Sequence, residues 1–138
     1  MNGIILAAGR GSRLKKMTDT KPKCMVEFRG RTLLEGVVNN FLASDINNIY
    51  TVTGYKEKKI KSPLIKKIYN PMWKKSSIMR SLMCSNKIIK KSTCIVSYSD
   101  IFYENKSIEA LKKMKGDICL LSNNNWKKIW KQRFTNPL

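Results

Sequence analysis

The sequence predicts an α/β fold with a largely parallel sheet and helices on both faces of that sheet. The run Ile4–Ala8 is apolar without interruption and ends at Gly9, which is typical of a parallel strand buried on both sides. Residues 32–42 repeat apolar side chains at the spacing of one helix face. Strand-like and helix-like segments then alternate along the chain, which favours parallel strands joined by helical crossovers.

The elements of the first part of the chain follow from local signals. The segment from Gly9 to Pro22 is rich in Gly, Arg, Lys and Thr and is predicted to be a loop. Residues 24–28 alternate only weakly between apolar and polar side chains. The helix Thr32–Leu42 is predicted to begin with Thr32 as its N-cap, and Glu35 completes a capping box.

The remaining elements are predicted from apolar periodicity and from the Gly and Pro residues that separate them. Gly54 closes the second strand, and the third strand is interrupted by a pair of lysines. The predicted strands are Ile49–Thr53, Leu64–Tyr69, Thr93–Tyr98 and Ile118–Leu121, and the predicted helices are Ser77–Ile89, Ser107–Met114 and Trp126–Phe134.

Composition limits the chemistry that the protein can use. The chain has 138 residues, with 28 Lys+Arg against 9 Asp+Glu, a formal charge of +19 and no histidine. The length fits one domain, and 42% hydrophobic residues suffice for a core. The absence of histidine excludes Ser-His and Cys-His nucleophile pairs and histidine metal sites. Catalysis must therefore use carboxylates, lysines, arginines, backbone amides or a metal held by oxygen.

The charge has two interpretations. A basic surface attracts anionic partners, either nucleic acid or phosphorylated small molecules, but a solvated Lys-rich surface explains the same composition and is favoured by composition alone. A nucleic-acid-binding module rests on the charge alone, because the aromatic residues do not alternate with Lys and Arg as in single-strand binding platforms. We therefore expect no nucleic-acid partner.

The cysteines and the apolar runs indicate a compartment. No C-x-x-C pair suggests a zinc ribbon or a redox site. The first residues lack a basic leader, and no apolar run approaches the ~20 residues of a membrane span. We expect a reduced, cytoplasmic protein with no membrane partner.

The loop after the first strand combines glycine with basic residues. Ligands of open α/β sheets bind beyond the carboxyl ends of the strands, where glycines let backbone N–H groups approach phosphates. Gly9 and Gly11 supply such a loop, Arg13 can bind phosphate oxygens in a bidentate way, and Lys23 adds a mobile charge. The dinucleotide fingerprint fails because position 14 is Leu, and the Walker loop fails because Ser12-Arg13 follow Gly11.

Asp100 follows the strand Thr93–Tyr98 and should lie at the same edge of the sheet as the glycine loop. A carboxylate there can hold a magnesium ion that bridges phosphate oxygens. A turn residue or a helix cap is the alternative interpretation of a single aspartate after a strand.

The string from the first strand through Gly9, Gly11, Arg13, Thr18 and Pro22-Lys23 resembles the signature of nucleotidyltransferases. These enzymes join a nucleotide to a sugar phosphate or to phosphocholine and release pyrophosphate. Five further segments are similar to a branch that includes bacterial phosphocholine cytidylyltransferases: Gly54-Tyr55-Lys56, Asn70-Pro71-Met72-Trp73, Ser81-Leu82, Asn125-Trp126 and Trp130 to Arg133.

The resemblance implies a Rossmann-like three-layer α/β/α fold that uses Mg²⁺, a nucleoside triphosphate with CTP favoured, and phosphocholine or a sugar 1-phosphate as acceptor. It implies that Arg13 and Lys23 are catalytic and that Asp100 holds the metal. The implied nucleotide-binding residues are Leu6, Ala7, Ala8, Gly9, Gly11, Ser12, Arg13, Lys23, Gly54 and Ser81.

The sequence also departs from the family pattern. Ser77 stands where relatives have Asn, and Asn123 to Asn125 replace an acidic residue that commonly precedes the tryptophan near position 126. The second metal-binding acid of the family would lie beyond Leu138, so residues 1–138 are expected to be the nucleotide-binding, N-terminal part of a nucleotidyltransferase domain. A relative that binds nucleotide without turnover is the alternative.

Overall fold

The computed structural model describes residues 1–133, and this part of the chain contains six strands, five α-helices and three 3-10 helices. The strands are β1 (Asn2–Ala7), β2 (Glu27–Phe28), β3 (Arg31–Thr32), β4 (Ile49–Thr53), β5 (Lys66–Tyr69) and β6 (Cys94–Tyr98). The helices are α1 (Leu33–Leu42), α2 (Ile78–Met83), α3 (Asn86–Ile89), α4 (Asn105–Lys113) and α5 (Trp126–Arg133).

Four of these strands form a parallel sheet in the order β5-β4-β1-β6, and β2 pairs with β3 in a separate antiparallel hairpin. Strand β1 lies inside the sheet, where Ile5 is opposite Thr51 on one side and Ser97 on the other. Because all four strands run the same way, their carboxyl ends meet at one edge. The predicted parallel sheet is confirmed.

Helix α1 begins as its sequence predicts. The Thr32 hydroxyl accepts a hydrogen bond from the Glu35 amide at 3.1 Å, and the Thr32 amide donates to the Glu35 carboxylate at 2.7 Å. Phe41, on the buried side of this helix, packs against Gly3 of β1. A Cβ added to Gly3 would lie only 2.6 Å from the Phe41 ring. The glycine in β1 therefore lets the helix approach the sheet closely.

Apolar side chains cover both faces of the sheet. On one face, Ile5 packs with residues of α1 and with Ile95 and Ile108. On the other, Ile4 and Val52 pack with Leu82 of α2. Adjacent residues of β1 thus contribute to opposite clusters, as alternation along a strand requires. The helices on both faces make the three-layer α/β/α arrangement, as predicted.

The predicted strand Ile118–Leu121 is wrong. The segment is irregular, and Ile118 and Leu120 are 86% and 82% exposed. The segment lines the same groove as β6 but does not pair with that strand. Within residues 1–133, no strand is hydrogen-bonded to the outer edge of β6. A short apolar run supplies propensity for a strand, but a strand also needs a backbone partner.

Other predicted elements need smaller corrections. The helix Ser77–Ile89 is two short helices, α2 and α3, because the backbone leaves the helical conformation at Ser85 (φ −95°, ψ +13°). The Ser85 hydroxyl donates to the Leu82 carbonyl at this turn. The third strand begins at Lys66 and not at Leu64, since Leu64 and Ile65 lie outside β5. Lys66 and Lys67 do not interrupt this strand but belong to it, with exposed side chains. Phe134, the predicted last residue of the final helix, lies outside the described residues.

Two further features concern the environment of the chain. The four cysteines are free thiols. Within residues 1–133, no helix has the length and apolar character needed to cross a membrane.

We predict that Phe41→Ala lowers the free energy of unfolding by about 3–5 kcal/mol, because it leaves a cavity between α1 and β1. Phe102→Ala is the matched control, since that ring is 58% exposed. Urea unfolding compares the two variants. Equal unfolding midpoints would contradict the packing of α1 described here.

Candidate active site

The loop that follows β1 leaves the sheet through a left-handed turn. Gly11 has φ of +76°, and the Leu14 amide donates to its carbonyl at 2.9 Å, which starts the 3-10 turns Ser12–Thr18. The buried Thr18 hydroxyl donates to the carbonyls of Gly11 and Lys15, at 3.3 and 3.1 Å. The loop therefore has a defined shape without belonging to a strand or an α-helix.

The two glycines of this loop have different surroundings. A Cβ on Gly11 would lie 2.6 Å from Cβ of Lys23, so Gly11 is required by both its dihedral angle and its neighbour. A Cβ on Gly9 would meet nothing within 4 Å. The packing of the described residues therefore explains the glycine at position 11, whereas the open space in front of Gly9 leaves room for a ligand.

Lys23 and Asp100 form an ion pair at the carboxyl edge of the sheet. The Lys23 ammonium donates to Oδ2 of Asp100, and the stem of the lysine lies against Gly11. Asp100 follows β6, and the last contact between β6 and β1 is the hydrogen bond from the Ser99 amide to the Leu6 carbonyl at 3.2 Å. The side chains of the pair remain 36% and 28% exposed, so a ligand can reach both.

The residues at this edge fit a magnesium ion only if substrate phosphates supply its other ligands. Within residues 1–133 no group of three or more His, Cys, Asp or Glu side chains is arranged to hold a metal ion. Mg²⁺ commonly binds through one or two carboxylates together with substrate phosphates and water. The Asp100 carboxylate fits that mode as a single protein ligand.

Cys24 lies beside this pair and is buried in the core. Burial raises the pKa of the Cys24 thiol to about 12, and the neighbouring Asp100 carboxylate acts in the same direction. The thiol is therefore protonated at neutral pH. Cys24 is 1% exposed and packs in the core, so it is not placed to act as a reactive thiolate.

The structure leaves Arg13 apart from the ion pair. Its side chain is exposed and has no hydrogen-bond or ion-pair partner within residues 1–133. Ser12 is exposed on the same loop. Both residues lie in the segment that joins Gly11 to Thr18, so their side chains project from a loop whose backbone is tied at both ends.

Gly54 brings the end of β4 against the end of β1. A Cβ on Gly54 would lie 2.4 Å from Cβ of Trp73 and 2.7 Å from the Ala8 carbonyl oxygen. The Tyr55 amide donates to that same carbonyl at 2.9 Å. Ala7 and Ala8 are buried beneath this contact. The structure thus brings together Ala8 and Gly54, two of the implied nucleotide-binding residues, at the ends of neighbouring strands.

Ser81 lies in α2 and is buried. Its hydroxyl accepts a hydrogen bond from Nδ2 of Asn70 at 2.9 Å, and Asn70 itself is 1% exposed. The Asn70 side chain also binds the Met72 amide, which folds the segment after β5 into a turn. The Ser81 hydroxyl therefore has a structural partner, and its role toward a nucleotide stays a prediction.

Sequence reasoning missed a cluster at the outer side of the loop. Arg10 forms an ion pair with Asp19 at 2.7 Å, and its guanidinium lies over the Tyr55 ring, 5.6 Å from the ring centre. The Tyr55 hydroxyl donates to the Asp19 carbonyl at 3.3 Å. The position of Tyr55 directly after β4, at the same edge as the loop, is the signal that could have found it.

The open space at Gly9 and the Lys23–Asp100 ion pair both lie at the carboxyl edge of a parallel sheet, where open α/β proteins bind their ligands. The sequence agrees: residues 3–127 match the family described as the MobA-like NTP transferase domain. The chain belongs to this family.

Two curated relatives are cytidylyltransferases. The CTP:phosphoglutamine cytidylyltransferase of Campylobacter jejuni is 32% identical over 148 aligned residues, which cover 100% of this chain and 58% of the relative. The 2-aminoethylphosphonate cytidylyltransferase of Lancefieldella rimae is 22% identical over 112 residues, which cover 78% of this chain and 46% of the relative. The chain thus spans about half the length of these relatives.

Solved structures share the fold. The CTP:phosphocholine cytidylyltransferase of Streptococcus pneumoniae superposes with a TM-score of 0.61 at 24% identity, over 76% of this chain and 49% of that one. A UDP-glucose pyrophosphorylase from Acinetobacter baumanii gives a TM-score of 0.55 at 17% identity, over 71% of this chain and 45% of that one. These similarities confirm the Rossmann-like arrangement of the sheet and helices.

The contrast between the glycines predicts different costs of adding a methyl group. Gly11→Ala should lower the free energy of unfolding by about 1–2 kcal/mol, because an L-residue is strained in the left-handed region and its Cβ would overlap Lys23. Gly9→Ala should change it by less than about 0.5 kcal/mol. Urea unfolding followed by tryptophan fluorescence measures both, and equal losses would show that the two positions do not differ as described.

Proposed function

We propose that the protein transfers a nucleotidyl group from a nucleoside triphosphate, with CTP favoured, to a small phosphorylated acceptor and releases pyrophosphate. The observation that carries this proposal is the Lys23–Asp100 ion pair, held against Gly11 at the carboxyl edge of the sheet. This pair supplies a cation for charge neutralisation and a carboxylate that could hold a metal ion, beside a loop with open space at Gly9. Membership of the NTP transferase family supports the same reaction class.

The relatives of this chain support the choice of CTP and of the acceptor. All three cytidylyltransferases named above act on a small molecule with a phosphate or phosphonate group: phosphoglutamine, 2-aminoethylphosphonate or phosphocholine. We propose an acceptor of this chemical kind, phosphocholine or a sugar 1-phosphate being the candidates that the sequence suggests. The shared feature is an oxyanion that can act as the nucleophile.

In the proposed reaction an oxygen of the acceptor phosphate attacks the α-phosphorus of the nucleotide. The bond between the α-phosphorus and the bridging oxygen of the β-phosphate breaks, and the electron pair leaves with pyrophosphate. An ionised phosphate needs no general base, which suits a chain without histidine. The protein's task is to position the reactants and to neutralise charge.

The proposed roles follow from position. Lys23, at the junction of the loop and the sheet, would neutralise the α-phosphate and the incoming phosphate. Arg13, whose side chain is exposed on the loop, would hold the leaving pyrophosphate together with backbone amides near Gly9 and Gly11. Asp100 would hold Mg²⁺, which when bound supplies positive charge to the phosphate oxygens.

Pyrophosphate release tests the proposed function. The purified protein is incubated with Mg²⁺, one of CTP, UTP, ATP, GTP or dTTP, and one acceptor from a panel. The panel contains phosphocholine, phosphoglutamine, 2-aminoethylphosphonate and glucose 1-phosphate. We expect release that depends on both substrates and is greatest with CTP. Nucleotide binding without pyrophosphate release for any pair would instead establish the non-catalytic alternative.

The assigned cations predict a loss of turnover without a loss of fold. Lys23→Ala and Arg13→Ala should each reduce kcat by about 10²–10³, because each removes a charge-assisted donor to the transition state. Lys21→Ala is the matched control, since this lysine lies on the same loop but pairs with Glu27 at 3.6 Å. The pyrophosphate assay measures all three variants, after circular dichroism has confirmed their folding. Near-normal release by Lys23→Ala and Arg13→Ala would refute the roles assigned to them.

A further inference from the structure

Tyr55 touches both ends of the glycine-rich loop, although it belongs to the segment after β4. Its hydroxyl donates to the Asp19 carbonyl at 3.3 Å, and its ring lies under the Arg10 guanidinium, 5.6 Å from the ring centre. Arg10 and Asp19 in turn form an ion pair at 2.7 Å. The three side chains close the loop on its outer side.

The position of Tyr55 is itself fixed by the sheet. Its amide donates to the Ala8 carbonyl at 2.9 Å, at the point where β1 ends and the loop begins. Its ring packs edge-on against Trp73, with the ring centres 5.3 Å apart. Because Gly54 has no Cβ, Trp73 and Ala8 can approach closely enough for both contacts. Tyr55 therefore links the loop to the rigid part of the molecule.

The loop between Arg10 and Asp19 needs such an attachment. Its backbone includes left-handed dihedral angles at Gly11 (φ +76°) and Lys15 (φ +48°), and it makes no strand ladder. Thr18 joins it internally, and Lys23 supports Gly11 from the inner side. From the segment after β4, Tyr55 contacts Arg10 and Asp19, which flank Arg13 on either side in the loop.

We propose that Tyr55 is a positioning residue that holds the glycine-rich loop in the conformation that binds the triphosphate. The inference rests on the proposed function, because it assigns Tyr55 a part in nucleotide binding by that same loop. Tyr55 acts through Arg10 and Asp19 and does not contact the reacting atoms. Loss of its ring lowers the fraction of molecules with a competent loop, and the apparent affinity for nucleotide falls by the same factor.

The test compares Tyr55→Leu and Tyr55→Phe with Tyr69→Leu. Tyr69 is the matched control, since it ends the neighbouring strand β5 and is 53% exposed. Hydrogen exchange of peptides covering residues 10–19 is measured without ligand, and KM for CTP and kcat are measured with the best acceptor of the panel.

In Tyr55→Leu we expect exchange in residues 10–19 to be about tenfold faster, with β1 and β4 unchanged. KM for CTP should rise about tenfold, while kcat stays within about twofold. Tyr55→Phe keeps the ring beneath Arg10 and should restore most of both properties. Tyr69→Leu should behave as the unsubstituted protein.

Unchanged exchange in Tyr55→Leu would overturn the proposal, and so would faster exchange throughout the sheet, which would indicate general loosening. A fall in kcat at constant KM would also overturn it. If the unsubstituted protein shows no turnover with any pair of substrates, the proposed function is refuted independently of the role of Tyr55. The exchange rates and the dissociation constant for CTP with Mg²⁺ then still decide the role of Tyr55.

Discussion

The two hydrogen-bonded ladders of β1 set the positions of the groups that form the candidate site. Through β4, strand β1 brings Gly54 and Tyr55 against Ala8, and through β6 it brings Asp100 beside the loop that starts at its own end. The packing of Phe41 against Gly3 holds α1 to the same strand. Ile4, Ile5, Ala8 and Phe41 are buried, so the site is built against the core of the fold.

The cationic side chains around this site differ in whether they have a carboxylate partner. Lys23 and Arg10 each have a carboxylate partner, Asp100 and Asp19, that fixes their place in the loop region. Arg13 has no such partner within residues 1–133 and can meet an anionic ligand at little cost in broken contacts. The +19 charge is therefore informative about function only at these few positions. The pairs of adjacent lysines elsewhere in the sequence lie on the solvated surface.

The sequence is most predictive where local rules decide the structure. Uninterrupted apolar runs identify β1, the capping box identifies the start of α1, and the end of β6 leads to Asp100. Contacts between distant positions are harder, since no local signal joins Tyr55 to Asp19 or decides that Lys23 meets Asp100 directly. The segment Ile118–Leu121 has the composition of a strand, but its pairing depends on a partner that composition does not reveal.

We propose that the loop after β1, together with Lys23, binds the phosphates of a nucleoside triphosphate. The most direct test is a titration of the protein with CTP, CMP and cytidine in the presence of Mg²⁺ at fixed ionic strength. Each charge-assisted contact contributes about 1.5–3 kcal/mol, so CTP should bind at least about tenfold more tightly than CMP, with cytidine weaker still. Equal affinities for CTP and cytidine would contradict the account.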